Sequence, residues 1–224
     1  CEQNYHSVVK CALGWACWKT YLGRPETDEV RRMAMNELGN GLFIAKNYED
    51  ALPVQKAQLS MLRRIGAREE SVLVAKTNLA ATYGDIGRLE EADREQRDVY
   101  SGWLELLGEE SRHTMIAANN YAWGLFRLGR FEEAKSVLRK MMPVTQRVLG
   151  ESHKLTLTIR KLGAMALYSD PDATLDDLRK AKTTLEEIER TARRVLGGAH
   201  PITFSIDRDL RIARAALRAR ETPP

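Results

Sequence analysis

The chain repeats itself at an interval of 42 residues, and this internal repeat constrains the fold more than any other feature. Residues 78–92 and 120–134 are identical at seven of fifteen positions, which include the first asparagine, a Gly-Arg pair and a Glu-Glu-Ala sequence. A period of about 20–50 residues is typical of repeat arrays, in which each unit packs only against its neighbours. The sequence therefore predicts a stack of similar units that share a continuous core.

Each copy has the pattern of two helices joined by a tight turn. Gly87 and Gly129 predict the turn, because glycine adopts a positive φ at little cost. The acidic pair that follows is expected in the first turn of the second helix, where it meets the positive end of the helix dipole. A degraded copy lies at residues 38–51. There Lys46-Asn47 replaces Gly-Arg, and Asn47 is expected to supply the positive φ one position later.

Small residues recur where the two helices of a pair should approach each other, namely at Gly39, Ala80, Ala122 and Gly163. An Ile-Gly sequence and then three Leu-Gly sequences mark the boundaries between units, at intervals of 42, 42 and 47 residues. The longer last interval is assigned to an expanded turn at residues 168–174, about six residues longer than Gly-Arg. Thr27 or Asp28 is expected to cap the helix that opens the first unit.

The apolar spacing of three and four residues, without any long alternating stretch, predicts nine or ten antiparallel helices and an all-α fold. The predicted boundaries give an N-terminal helix that completes a truncated repeat, four repeats, and a C-terminal capping helix with its tail: 1–27, 28–69, 70–111, 112–152, 153–200 and 201–224. Because the chain begins at Cys and not at Met, we expect it to be a fragment of a longer protein.

Composition narrows the class of protein further. The chain is 43% hydrophobic and 29% charged, and its 35 cations and 31 anions are interleaved, which favours solvated helix faces. No run of 18 apolar residues predicts a membrane span. The odd number of cysteines, Cys1, Cys11 and Cys17, favours a reducing, cytoplasmic compartment over a disulfide framework. Their spacing is poor for a zinc site, and Cys11 and Cys17 are interpreted as small buried residues.

At the boundary between units, residues 196–203 read Leu-Gly-Gly-Ala-His-Pro-Ile-Thr. Together with the repeated Gly-Arg and Glu-Glu-Ala, this sequence resembles tetratricopeptide repeat (TPR) proteins of the kinesin-light-chain-like variety, whose loops read Leu-Gly-x-x-His-Pro-x-Thr. The resemblance extends over about residues 28–219. It implies an α-solenoid of antiparallel helix pairs forming a right-handed superhelix. The concave face of such a superhelix, lined by the first helix of each pair, binds peptides or protein segments.

Carrying the positions of that face onto this chain gives a candidate groove that includes Met33, Phe43, Ala81, Asp85 and Ala164. Its polar and aromatic members are Asn36, Asn40, Thr77, Asn78, Asn119, Asn120, Trp123, Arg127, Arg160 and Lys161. The asparagines could bond a peptide backbone, Arg160 and Lys161 a carboxylate, and Trp123 could be an aromatic anchor. Alternatively, Asn119 and Asn120 bond neighbouring helices, and Trp123 packs between units.

No phosphate-binding loop, HExxH or GxSxG sequence is present, so the sequence predicts neither an enzyme nor a cofactor or metal site. His113, His153 and His200 fall in the loops between units, where a structural or capping role is expected. The sequence favours a protein-interaction scaffold whose ligand is a protein or peptide, an acidic one being compatible with the basic fourth repeat. The alternative is a nucleic-acid-associated protein that uses the arginines of residues 208–220.

Overall fold

The computed structural model describes residues 2–221, which form ten α-helices and no β-strand. The helices are α1 Glu2–Tyr21, α2 Glu29–Ile44, α3 Tyr48–Arg64, α4 Glu69–Asp85, α5 Leu89–Leu107, α6 Arg112–Arg127, α7 Phe131–Leu149, α8 Lys154–Tyr168, α9 Leu175–Leu196 and α10 Pro201–Glu221. The predicted all-α class is confirmed. The division of the chain into repeats remains a prediction.

The chain forms two compact units, Cys1–Trp103 and Leu104–Pro224. In the first unit, α2 packs against α1, α3 and α4. Its core contains Leu38, Leu42 and Ala51 on one side and Leu59, Leu79 and Tyr83 on the other. α1 approaches α2 so closely that a Cβ on Gly14 would lie 2.8 Å from the Cα of Leu38. Only glycine fits there without moving the helix.

In the second unit, α8 packs against α6, α7, α9 and α10. The largest cluster joins three helices through fully buried side chains: Leu157, Ala181, Leu185, Ile188, Ile206 and Ala213. On the inner side of the last helix, Ile206 and Leu210 are buried. Burial of a large apolar side chain stabilises a fold by about 1.5–3 kcal/mol, so this stacking is the main source of stability.

Four tight turns close with the same hydrogen bond, which runs from the third residue after the helix back to the residue two positions before the last helical residue. The bonds run from Asn47 N to Leu42 O, Ala67 N to Leu62 O, Arg88 N to Tyr83 O and Arg130 N to Leu125 O, all at 2.9 Å. This pattern is the Schellman motif, which requires a left-handed residue. Gly66, Gly87 and Gly129 supply it with φ values of 61°, 83° and 73°.

In the first of these turns, the expectation for Asn47 is wrong. The left-handed residue is Lys46, with φ 62°, whereas Asn47 has φ −84°. Lys46 occupies the position of Gly87 and Gly129 in the repeat. The closing bond fixes which residue must be left-handed, so the turn geometry overrides the higher intrinsic preference of asparagine.

Helix caps settle the roles of the loop histidines. His153 caps α8, its Nδ1 accepting a hydrogen bond from Leu155 N at 3.1 Å, and His200 Nδ1 accepts one from Ile202 N at 3.1 Å. The capping role is confirmed for these two. At the equivalent place in α6 the cap is Ser111, and His113 lies inside the helix, so it is not a cap. Asp28 caps α2, as one of the two expected alternatives.

Three other details differ from expectation. Six residues separate α8 from α9, compared with three between α6 and α7, and α9 is lengthened to 22 residues. The insertion is therefore shared between the turn and the helix. A Cβ on Gly163 would only touch Met142 Cε at 3.6 Å, so close approach does not require glycine there, whereas a Cβ on Gly39 would lie 3.1 Å from Gln55 Cγ. Cys11 and Cys17 are half-buried; Cys1 lies outside the described residues.

Candidate functional site

In the first unit, three amide side chains form a cluster that links α2, α3 and α4. Asn36 Oδ1 accepts hydrogen bonds from Gln58 Nε2 at 3.2 Å and from Asn78 Nδ2 at 3.4 Å. Asn36 and Asn78, both predicted for the groove, are thus brought together. Gln58 was not predicted, because it lies on the second helix of a pair and belongs to no motif.

The other predicted polar residues of this unit are half-buried. Thr77 donates its hydroxyl to Leu73 O at 2.8 Å, within its own helix, so that donor is already used. Asn40 lies one turn beyond Asn36 on α2. Neither side chain is hydrogen-bonded to the amide cluster, and the cluster is therefore a smaller polar centre than the sequence indicated.

A groove of about 340 Å³ opens beside this cluster, between α2 and α4. Its walls carry two exposed apolar side chains, Met33 at 60% and Val74 at 45% exposure, and its floor contains Leu62. Val74 follows Met33 by 41 residues and Ile116, 38% exposed, follows Val74 by 42. Val74 and Ile116 were missed by the sequence analysis, although this spacing could have identified them.

In the second unit, Trp123 stands on an aromatic cluster. Its ring stacks on Phe126 at 5.4 Å and 14°, and Phe126 meets Phe131 edge-on at 5.5 Å. Trp123 remains 42% exposed, and Arg127 one turn later is exposed as well. Stacking fixes one face of the indole and leaves the rest accessible, an arrangement suited to an anchor for an apolar group.

Asn119 and Asn120 are half-buried on the same helix. Asn119 Oδ1 is buried and accepts no hydrogen bond from any described residue. A buried amide oxygen without a donor costs about 1–3 kcal/mol, so it is an unused acceptor. The structure gives Asn119 no bond to a neighbouring helix of the kind that joins Asn36 to Asn78.

Arg160 and Lys161 diverge, although they are consecutive. Arg160 binds Glu187 at 2.6 Å and Glu151 at 3.1 Å. Lys161 donates to Ser205 Oγ at 2.7 Å and lies 3.6 Å from the buried Asp209. Burial lowers the pKa of Lys161, while the charge of Asp209 opposes that shift. Both cations have internal partners, so they do not form a joint carboxylate site in this structure.

The arginines of α10 are exposed, but much of their charge is matched within the unit. Arg211 pairs with Asp207 at 3.2 Å and Arg214 with Glu186 at 2.8 Å. Arg208 lies 3.3 Å from Asp209, and Arg220 donates to Pro171 O at 3.3 Å. Nucleic-acid affinity depends on cations that are free to neutralise phosphates, and this face offers few of them.

No group of three histidine, cysteine or acidic side chains within residues 2–221 is placed to hold a metal ion. None of the ten helices there is both long enough and apolar enough to cross a membrane.

The repeated helix hairpins, Schellman turns and capped boundaries define a helical repeat solenoid. Residues 71–146 match the family model of the tetratricopeptide repeat, the family that the sequence resembles. No curated protein matches the sequence of the chain significantly.

Solved structures confirm the fold. The kinesin light chain nearly identical TPR-like repeats of Podosopora anserina superpose with a TM-score of 0.70 and 19% identity, over 89% of this chain and 90% of that one. BtubC (BKLC) of P. vanneervenii has a TM-score of 0.66 and 16% identity, over 98% of this chain and 89% of that one. A Rap protein complexed with Competence and Sporulation Factor has a TM-score of 0.60 and 11% identity, over 96% of this chain and 61% of that one. The chain therefore has the kinesin-light-chain-like TPR fold, which commonly serves as a non-enzymatic interaction scaffold.

Proposed function

We propose that the chain binds a protein segment through the first helices of its repeats. The observation that carries this proposal is the recurrence of exposed apolar side chains on α2, α4 and α6. These side chains, Met33, Val74 and Ile116, follow one another at intervals of 41 and 42 residues. Isolated exposed apolar residues are common on any protein surface, but recurrence at one position of a repeat indicates a shared use of that face.

The half-buried asparagines support the same function. Asn78 and Asn119 lie beside these apolar residues, and amides can donate to and accept from an extended peptide backbone. In the second unit Trp123 adds an aromatic anchor, the residue type that most often dominates binding energy at protein interfaces. The proposal does not depend on Arg160 or Lys161, which are engaged internally.

The similar fold of the Rap protein complexed with Competence and Sporulation Factor is compatible with this proposal at the level of the scaffold. The ligand itself is left open by such a distant similarity, because one repeat fold serves many partners.

The test is a selection from a random peptide library displayed on phage, followed by affinity measurements with synthetic selected peptides. For peptides that bind the second unit, the double variant Asn119→Ala/Trp123→Ala should bind at least about tenfold more weakly, since truncating an aromatic anchor costs about 2 kcal/mol or more. Trp15→Ala is the matched control, because Trp15 is a similarly exposed tryptophan on α1. Equal affinity of wild type and double variant for every selected peptide would exclude this part of the site.

A further inference from the structure

The groove between α2 and α4 is acidic, although the whole chain has a net charge of +4. Three carboxylates line it, Glu29 and Glu37 from α2 and Glu70 from α4, against a single cation, Arg32. Arg32 donates to the carbonyl oxygen of Thr27, so its guanidinium is held at the backbone of the preceding loop.

Several other acids of the same unit are ion-paired, whereas these three carboxylates are not, within the described residues. Glu26 is paired with Arg64 at 2.7 Å and Asp98 with Lys76 at 2.8 Å, and Glu91 is paired with Arg88. Among residues with described side chains, Glu29, Glu37 and Glu70 have no ion-pair partner. The charge that faces the groove is therefore not neutralised from within.

Helix dipoles account for only part of this pattern. Glu29 and Glu70 lie in the first turns of α2 and α4, where a carboxylate stabilises the helix. Glu37 is in the middle of α2 and is exposed, one position beyond Asn36 of the amide cluster. Because the dipole effect falls off within the first turn, the dipole gives no reason for an acid at this place.

The apolar part of the groove sets a second requirement for a ligand, in addition to its charge. Met33 and Val74 stand exposed on the two walls above Leu62. An occupant that only supplied cations would leave these side chains in water, whereas an apolar side chain placed between them would bury both. The surface thus combines an apolar centre with a negatively charged rim.

We infer that this groove binds a basic protein segment, in which lysine or arginine residues flank an apolar side chain. The inference rests on the proposed function and specifies the chemistry of its partner. The acidic ligand considered from the sequence was connected with the basic fourth repeat, so the partner inferred for this groove has the opposite charge. Complementary charge would raise the association rate and exclude acidic segments, while the apolar contact would hold the bound state.

The experiment uses the full chain and the random peptide library described above. Peptides selected by the wild type should be enriched in lysine and arginine beside an apolar residue. A fluorescein-labelled synthetic copy of the most enriched peptide should bind the double variant Glu37→Gln/Glu70→Gln about 3- to 20-fold more weakly, since exposed ion pairs contribute about 0.2–1 kcal/mol each and more when they act together. Its affinity should also fall with added salt.

A matched control removes two carboxylates outside the groove. Glu49→Gln/Glu105→Gln causes the same change in net charge at exposed positions. Binding of the basic peptide should change less than twofold in this variant. Circular dichroism of both double variants would establish that each is folded.

The outcomes separate the inference from the function on which it rests. Enrichment of acidic peptides, or basic peptides that bind Glu37→Gln/Glu70→Gln and wild type equally, would overturn the basic-ligand inference while leaving peptide binding intact. Failure to enrich any peptide, whatever its charge, would overturn the proposed function and the inference with it.

Discussion

Asn78 donates a hydrogen bond to Asn36 across 3.4 Å, which joins the first helices of two successive repeats. The same oxygen of Asn36 also accepts from Gln58 on the helix between them. The Asn36 side chain therefore joins α2, α3 and α4 beside the acidic groove. These asparagines have a structural role, and they also determine the shape of the surface that a ligand would meet.

Replacing Asn36 should therefore destabilise the first unit. Asn36→Ala removes the acceptor and leaves the amide groups of Gln58 and Asn78 without this partner, at a cost of about 1–2 kcal/mol. Urea denaturation followed by circular dichroism measures the effect. Asn40→Ala is the matched control, since Asn40 is half-buried on the same helix and makes no side-chain hydrogen bond to a described residue. Equal losses in the two variants would show that the cluster contributes nothing specific.

Lys46→Gly should raise stability by about 1 kcal/mol. Lys46 is left-handed at φ 62°, a conformation that costs a residue with a Cβ about 1–2 kcal/mol, and glycine would lose part of that gain to greater freedom in the unfolded chain. Thermal unfolding gives the sign. Asn47→Gly should not stabilise, because Asn47 already has a negative φ. A gain from Asn47→Gly and none from Lys46→Gly would mean that the left-handed residue is misassigned.

His153→Ala should cost about 1 kcal/mol, because it removes the side-chain acceptor for Leu155 N at the start of α8. His153→Ser should retain most of the stability, since serine already caps α6 at the equivalent Ser111. Chemical denaturation of both variants tests this comparison. If serine were no better than alanine, the capping bond would not be the reason for the effect.

Asp177 should contribute stability that is lost in acid. The hydrogen bond from the Thr174 hydroxyl, 2.6 Å long, and the bond from Thr174 N lower the pKa of Asp177. A carboxylate whose pKa is lower in the folded state stabilises fully above its unfolded value, near 3.9, and loses this contribution as the pH falls through the folded value. Wild type should thus exceed Asp177→Asn in stability at neutral pH, and the gap should narrow towards about pH 3 in denaturation curves. A gap that is constant with pH would contradict this origin.

The sequence predicted the repeat, the helix class and most turns because these depend on local signals. Gly87 and Gly129 mark positions where the backbone must be left-handed, and the Leu-Gly sequences mark the ends of long helices. Lys46 was missed because the closing hydrogen bond, a feature of the folded turn, decides which residue takes that conformation. Such errors were few because the same pattern recurs every 42 residues, so that each repeat supported the interpretation of the next.

The candidate site was less predictable. Arg160 and Lys161 are adjacent in sequence and similar in charge, yet they contact different helices, because neighbouring residues on a helix point about 100° apart. The acidic groove is formed by residues of α2, α3 and α4. Its excess of acidic over basic side chains is therefore not contained in any single repeat. Such properties depend on which faces are juxtaposed, and a motif read within one unit does not contain that information.

The six-residue turn between α8 and α9 has a practical consequence for handling the protein. Asp172 is exposed in this turn, while the ends of the turn are secured by the Asp170–Lys135 pair at 2.9 Å and the Thr174–Asp177 capping box. A short flexible tag or a fluorophore-bearing peptide inserted after Asp172 would emerge from a segment whose anchors remain on both sides. This position gives a reporter attachment point on an exposed turn of the second unit.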